Sequence, residues 1–423
     1  MKSYTHEDKL KLSFLFFIFM VKYLRGIYMN KKSILLSLLI VSLCSCNSSI
    51  YDSVYTHIVD GYFNGDDYVF PMNTITTLRM YNQDQLAEVK PGFDSLIKSL
   101  SKDVDRYYNY EGINNLKTIN DSCGSNNEIT ISEELFELIQ LGIDLTKLTQ
   151  GKFNLAMGEI IDLYSPLLDE EKITYNELPS QQLIDDCLSS IPNYVDIESV
   201  IVLNEENNSI ILNQYNGNNV TISLGAIAKG YIMQKAHEYL KSYNYPALYD
   251  AGSSTMGSIG YNPMNKTSNW TIGLSNPMLN ETQTDYLATF QFTNDYFLSS
   301  SGDYQKNFIY QDENGTEKLM HHIIDPSTGI SNDFIRSVTI TSSSCSLAVL
   351  DALSTALFNV NSDEEFKELL DLFEIEYNCS ISYLYTKQVQ EGNFKDLDVY
   401  VDESFNKMIT SKFASNVKNI KVI

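Results

Sequence analysis

Tryptophan occurs once in these 423 residues, proline nine times and cysteine six times, and 30 basic residues face 54 acidic ones. Each scarcity excludes something. With 9 Pro and 20 Gly the chain is neither collagenous nor a Pro/Gly-rich disordered tract. The cysteines form no CxxC spacing and no cluster with histidine, which removes zinc and iron–sulfur frameworks. A formal charge of −24 opposes unspecific attraction to nucleic acid or to anionic lipid headgroups, so no nucleic-acid partner is expected. No apolar run reaches the ~20 residues of a membrane-spanning helix. A P-loop of the form G-x-x-x-x-G-K-[ST] is missing, and no internal repeat is visible. What remains, 43% hydrophobic and 20% charged, is the composition of a large globular body.

The front of the chain differs from the rest. Residues 1–45 carry a net +5, leaving −29 on the other 378 residues. The run Ile34 to Leu43 follows Met29-Asn30-Lys31-Lys32 and leads into Leu43-Cys44-Ser45-Cys46, a basic region, a short apolar region and small residues before a cysteine. This pattern resembles a bacterial lipoprotein signal, with Cys46 as the acylated residue and Met29 as an alternative start. It implies a lipid-anchored protein on the extracytoplasmic face of the cell membrane. Residues 46–65 then read as a polar tether, and 66–423 as the functional body. Outside the cytoplasm a disulfide is chemically allowed, but the sequence does not choose its pair.

Helical patterning covers Ile131 to Leu148, where Thr130 and Glu133 have capping-box spacing, and Ile227 to Leu240. Two further helices are expected over Ser346 to Phe358 and Ser362 to Phe373, the latter opening on Asp363, Glu364 and Glu365. Strands are expected at Ser199–Leu203, Ser209–Leu212, Asn219–Ile222, Trp270–Leu274, Ala288–Phe292 and Ser337–Thr341. Strand pairs interrupted by helices imply an α+β fold with mainly antiparallel sheets, as one elaborated domain or two lobes around a cleft.

Four constellations could carry chemistry. Asp351 and Thr355 stand at i and i+4 in an otherwise apolar helix, offering two oxygens on one face to a hard cation. A solvated Asp beside a Thr bonded to its own helix would look the same, but the apolar surroundings argue for a buried carboxylate that wants a partner. Gly225-Ala-Ile-Ala-Lys229-Gly230-Tyr231 places backbone N–H groups and a lysine at a helix start, a geometry for phosphate oxygens and also that of an ordinary turn. His321-His322-Ile-Ile-Asp325-Pro326-Ser327-Thr328-Gly329 offers a proton acceptor ahead of a turn. Ser300-Ser301-Gly302-Asp303-Tyr304 reads as a binding loop or a simple turn.

In this order, together with Met72-Asn73-Thr74, Gly151-Lys-Phe153-Asn154 through Gly158, and Asp250-Ala-Gly252, these motifs resemble the ApbE-type FAD:protein FMN transferases. That family consists of Mg-dependent enzymes, often lipoproteins. The resemblance implies Mg²⁺ held by the Ala226 carbonyl, the Asp351 carboxylate and the Thr355 hydroxyl. It also implies a FAD site with Met72, Ala156, Met157, Gly158, Ser223, Lys229 and Ile323. One of Tyr107, Tyr108 and Tyr110 would meet the flavin, with Tyr110 carried as the candidate. His322 would accept the proton of an attacking Thr or Ser hydroxyl on an extracytoplasmic acceptor flavoprotein, with Asp325 orienting it or sharing the role. FMN would become bound through a phosphoester and AMP would leave.

Three positions depart from the family pattern: Ser223 in place of an Asp, Asn73 in place of a Gly, and Ser253 after Gly252 where a second Gly is usual. Two other readings share much of this pattern. A Mg-dependent FAD pyrophosphatase giving free FMN and AMP would use the same residues. A solute- or flavin-binding lipoprotein would share the tether, yet it gives no reason for Asp351 and Thr355 on one apolar face.

Overall fold

A computed structural model describes residues 54–64, 67–168, 174–265, 267–278 and 286–423. The segment read as a lipoprotein signal and Cys46 lie outside the described residues. Nine strands form the central sheet, numbered here in chain order: β1 Tyr55–Ile58, β2 Thr76–Met80, β3 Ala247–Ala251, β4 Thr255–Ile259, β5 Tyr296–Gly302, β6 Ser337–Ser342, β7 Ser382–Gln388, β8 Leu397–Val401 and β9 Val417–Val422. Their order across the sheet is their order along the chain. Neighbours are antiparallel as far as β8, and β9 joins β8 in parallel. The fold is therefore α+β with antiparallel pairing dominant, as the alternation of hairpin-like pairs and helices implied.

Both faces of this sheet are covered. On one lie five long helices: α1 Gln83–Asp103, α2 Glu133–Leu148, α3 Ala228–Lys241, α4 Leu347–Phe358 and α5 Asp363–Glu376. On the other lie the hairpin Trp270–Ser275/Tyr286–Phe292 and the short helix Glu403–Met408. Strand β3 shows how the period of two sorts its side chains. Ala247, Tyr249 and Ala251 join the core under the helices, while Leu248 joins Trp270, Phe290 and Phe405 on the far side. A third, smaller core gathers Met157, Ile160, Tyr164, Phe308, Met320 and Ile324 beside the short strands Asn307–Gln311 and Glu317–His321.

Helix starts follow local hydrogen-bond chemistry. Ser346 Oγ accepts from Val349 N at the head of α4, and Ser362 Oγ accepts from Glu365 N at the head of α5. At α2 the expected cap is displaced: Thr130 is drawn into a short strand opposite Ser209, and Ser132 caps Leu135 N instead. Asn219–Ile222 is not a strand. Its backbone bonds leave the segment: Thr221 O accepts from Gly158 N at 2.8 Å, and Ile222 N and O both bond the Asn120 side chain. The strand expected from Ser199 begins at Ile201, because Ile197–Val200 form a helical turn. Ser300–Gly302 belong to β5 rather than to a loop.

Helices α3 and α4 touch at Gly230. A Cβ there would lie 2.4 Å from Leu347 O and 2.5 Å from Asp351 Cβ. Only a hydrogen fits between the helices at this point, and the shift needed to admit a methyl cannot be confined to a flexible side chain. Gly230→Ala is expected to cost about 1–3 kcal/mol through overpacking, read as a lower urea midpoint at unchanged m-value.

Candidate active site

Asp351 sits at the middle of α4 with its carboxylate buried. Its partners come from three elements. Oδ2 accepts from Gly230 N at 2.8 Å, and Oδ1 accepts from Thr255 Oγ1 on β4 and Ser299 Oγ on β5, each at 3.1 Å. Ser354 extends this network, meeting Ser299 Oγ at 3.2 Å and Ser301 Oγ at 2.8 Å. One turn along, the Thr355 hydroxyl lies 3.4 Å from the Asp351 carbonyl. Of the twelve residues of α4, Thr355 alone is not buried, so the helix opens at the residue paired with Asp351.

The second half of the site is the turn before α3. Gly225 is exposed and Ala226 half-buried. Lys229 Nζ stands 3.4 Å from Gly225 O and 3.8 Å from Asp351 Oδ2. One cationic group is thus shared between the Ala226 turn and the α4 carboxylate, two stretches more than a hundred residues apart. With the Gly230 N–H engaged by Asp351, the Ala226 carbonyl keeps acceptor capacity. A donor set of carbonyl, carboxylate and hydroxyl oxygens, its carboxylate already facing an ammonium, fits a hard divalent cation such as Mg²⁺. Among the described residues no group of three His, Cys, Asp or Glu side chains could hold a metal, so a site here depends on main-chain and hydroxyl oxygens as well.

His322 is exposed. Its Nδ1 lies 3.1 Å from Gln305 O. A carbonyl only accepts, so Nδ1 carries the proton and Nε2 keeps the lone pair. Desolvation, followed by the ammonium of Lys306 and more weakly that of Lys229, pushes the His322 pKa down to about 4; the Gln305 contact opposes the shift. Asp325 is placed differently from a partner that orients His322: Oδ1 accepts from Ser327 N at 2.8 Å and Ser327 Oγ at 2.6 Å, closing the Pro/Gly turn. Gln305 O holds the ring instead. Ile323 is buried in the main core, its N–H 3.3 Å from His321 Nδ1.

The remaining predicted residues fall into two groups. Ala156, Met157 and Gly158 run beside Thr221–Ser223, with Ser223 N donating to Leu155 O at 2.8 Å. This brings the segment up to the turn at Ala226. Met72 lies at the end of the N-terminal region with φ 55°, close to α1. The three tyrosines gather around Asp105, whose Oδ1 accepts from Tyr107 N at 2.8 Å and Tyr108 N at 3.1 Å. Tyr110 donates to Asp105 Oδ2 at 2.7 Å and stands edge-on to Tyr62, with Lys102 over both rings. Tyr107 packs on Arg106 at the mouth of a cleft of about 380 Å³, and Arg106 Nη2 reaches Gly158 O at 3.3 Å.

The ApbE family model matches residues 72–377, most of the chain. The chain belongs to the ApbE family. It is 26% identical over 287 residues to the FAD:protein FMN transferase of Klebsiella pneumoniae (strain 342), covering 64% of this chain and 75% of that protein. A second relative of the same name, from Haemophilus influenzae, is 26% identical over 270 residues, covering 63% of this chain and 72% of that one. Among solved structures, the ApbE protein of Thermotoga maritima superimposes with a TM-score of 0.63 at 21% identity, covering 85% of this chain and all of that one. The flavin transferase ApbE of Vibrio cholerae gives 0.59 at 18%, covering 84% and 99%. These structural likenesses share the fold described above. The named relatives make ApbE a family of enzymes, transferases of flavin.

At two of the departures the backbone shows why a glycine is usual. Asn73 has φ 52° and Ser253 φ 59°, both in the left-handed region where glycine is most at ease. Asn is among the side chains that tolerate it best. Thr255 and Ser299 were not singled out in the sequence because lone hydroxyl residues in strands carry no periodic signal, and Gln305 acts through a main-chain carbonyl that any residue offers. Asp303 of the SSGDY motif forms a buried ion pair with Arg336, which also donates to Phe394 O and Pro277 O.

The His322 surroundings generate a titration prediction. The folded chain resists a proton that the unfolded chain takes near 6.5. On this residue's account stability is intact above about 6.5 and declines as pH falls toward 4. The His322 ring resonances are expected to titrate near pH 4, and Lys306→Met to raise that midpoint by removing a neighbouring positive charge, measured by NMR.

Proposed function

We propose that this chain transfers FMN from FAD to a Thr or Ser hydroxyl of an acceptor protein and releases AMP. The observation that carries this reading is the Asp351 carboxylate, fixed by Thr255, Ser299 and Gly230 and sharing the Lys229 ammonium with the turn at Ala226. A pair of phosphates has oppositely charged and hard-oxygen chemistry on both sides here. The Ala226 carbonyl, the Asp351 carboxylate and the Thr355 hydroxyl would hold Mg²⁺, whose charge offsets the negative charge that grows on the departing AMP.

The chain's own residues supply the rest. Lys229 faces the pyrophosphate and draws its charge into the site. The acceptor oxygen bonds to the phosphorus next to riboflavin, the bridging P–O bond breaks toward AMP, and the hydroxyl proton passes to His322 Nε2. The Gln305 carbonyl keeps that nitrogen facing outward by holding the proton on Nδ1. A base of this kind contributes about 10²–10⁴-fold, with positioning and electrostatics supplying the larger part. Lipidation at Cys46 would place the reaction on the extracytoplasmic side, with a membrane flavoprotein as acceptor.

Incubation with FAD, Mg²⁺ and an acceptor domain, followed by intact-mass analysis, tests the reading: an FMN adduct with equimolar AMP is expected, while free FMN with AMP and no adduct would make the protein a hydrolase. Asp351→Asn keeps the side chain's shape and removes its charge. It is expected to lower Mg-dependent transfer by about 10³-fold, consistent with loss of several kcal/mol of metal electrostatics. His322→Ala is expected to slow transfer by about 10²–10⁴-fold with FAD affinity within a few-fold of wild type, measured by single-turnover kinetics and fluorescence titration.

A further inference from the structure

Four cysteines lie among the described residues. Two of them face backbone atoms: Cys123 Sγ is 3.6 Å from Asn213 O and 3.2 Å from Val220 N, and Cys187 Sγ is 3.9 Å from Glu159 O. The other two are neighbours at the adjoining ends of β6 and β7, close enough for each thiol to influence the other's ionisation. Their backbones are laced together on the strand side of the sulfurs. Strands β6 and β7 pair at Thr341 and Ser382; Ser342 Oγ donates to Ser380 O at 2.7 Å, and Ser380 N donates to Ser344 Oγ at 3.2 Å. Cys345 immediately precedes Ser346, the cap of α4, and Cys379 lies three residues before β7.

We propose that Cys345 and Cys379 are a disulfide-forming pair that clamps the head of the Asp351/Thr355 helix to the start of β7. For the compartment in which the bond forms, the proposal rests on the extracytoplasmic reading; the pairing itself rests on the contact. The chemistry is thiol–disulfide exchange with a disulfide donor RSSR. Cys379 is partly exposed and Cys345 is buried, so Cys379 attacks first, giving the mixed disulfide Cys379–S–S–R and one RSH. Cys345 then attacks Cys379 Sγ, the bond to R breaks, and the second RSH leaves. Two thiols of the protein are oxidised and one donor disulfide is reduced to two thiols.

The ring so closed contains both α4 and α5, so oxidation constrains the unfolded chain over that whole stretch. Burial raises both thiol pKa values, more strongly at Cys345, so exchange at pH 7 is slow and proceeds with the donor in excess.

The test takes full-length chain purified under reduction and equilibrated with glutathione disulfide, then acid-quenched, alkylated and digested. A Cys345–Cys379 cross-linked peptide, two hydrogens lighter than its reduced parts, is expected, together with a rise of about 5 °C in the thermal midpoint. Cys379→Ser should abolish both while leaving FMN transfer under reducing conditions unchanged. Alkylation of both cysteines after equilibration, or cross-linking of either to Cys123 or Cys187, would overturn the pairing. The same peptide map applied to chain recovered from cell membranes separates the two readings. A cross-link found there supports the proposal in full, whereas one formed only with glutathione disulfide overturns the oxidising location and leaves the pair standing.

Discussion

Where α3 meets α4, the absence of one side chain sets the distance between two parts of the site. Gly230 lets the α3 backbone rest against Leu347 O and Ala348, and at that separation its N–H reaches Asp351 Oδ2. The same approach brings Lys229, one residue earlier, toward the carboxylate. A larger residue would part the helices and withdraw both contacts at once. The apolar faces of α3 and α4 supply the adhesive force, through Ile232, Met233, Ala236, Leu350 and Leu353 in one continuous core. Packing thus does the electrostatic work of assembling a charged site from segments far apart in the chain.

The sheet contributes differently. Thr255 and Ser299 occupy adjacent strands at the matched register Thr255↔Ser299, so their hydroxyls arrive side by side on the helical face. Together they engage Asp351 Oδ1, and the Gly230 N–H engages Oδ2. A buried carboxylate without such donors would be strongly disfavoured. The polar network therefore allows an acid to sit inside an apolar helix and fixes the direction in which it can face a cation.

Much of this was legible in the residues themselves. The i, i+4 spacing of Asp351 and Thr355, the acidic opening at Asp363, Glu364 and Glu365, and the order of the motifs led to the helices and the family. Other parts were hidden for physical reasons. Strand β3, Ala-Leu-Tyr-Asp-Ala, is buried on both faces and so lacks the apolar–polar alternation that reveals half-exposed strands. Asn219–Ile222 looks like a strand by composition, yet Asn120 and Gly158 take the backbone bonds that a neighbouring strand would use. Capping at Ser132 rather than Thr130 was decided by the pairing of Thr130 with Ser209, a contact across nearly eighty residues that no local window contains. The pairing of cysteines belongs to the same class, since it depends on how β6 and β7 lie together.

The charge of the whole chain and the charge of the site pull in opposite directions. At −24 the protein repels a nucleotide from afar, but salt screens that field over about 8 Å. Close in, desolvation is the largest influence on His322, and Lys306 and more weakly Lys229 add to it in disfavouring its protonation. On the proposed function these ammonium groups have two consequences of one origin. They attract phosphate oxygens, and while the site is empty they help keep Nε2 unprotonated but weakly basic. A bound pyrophosphate would offset their positive charge and so remove that part of the depression of His322 basicity, leaving the part due to desolvation. The base would then strengthen only once the group it serves is in place, and FAD would complete the electrostatics of the catalyst that splits it.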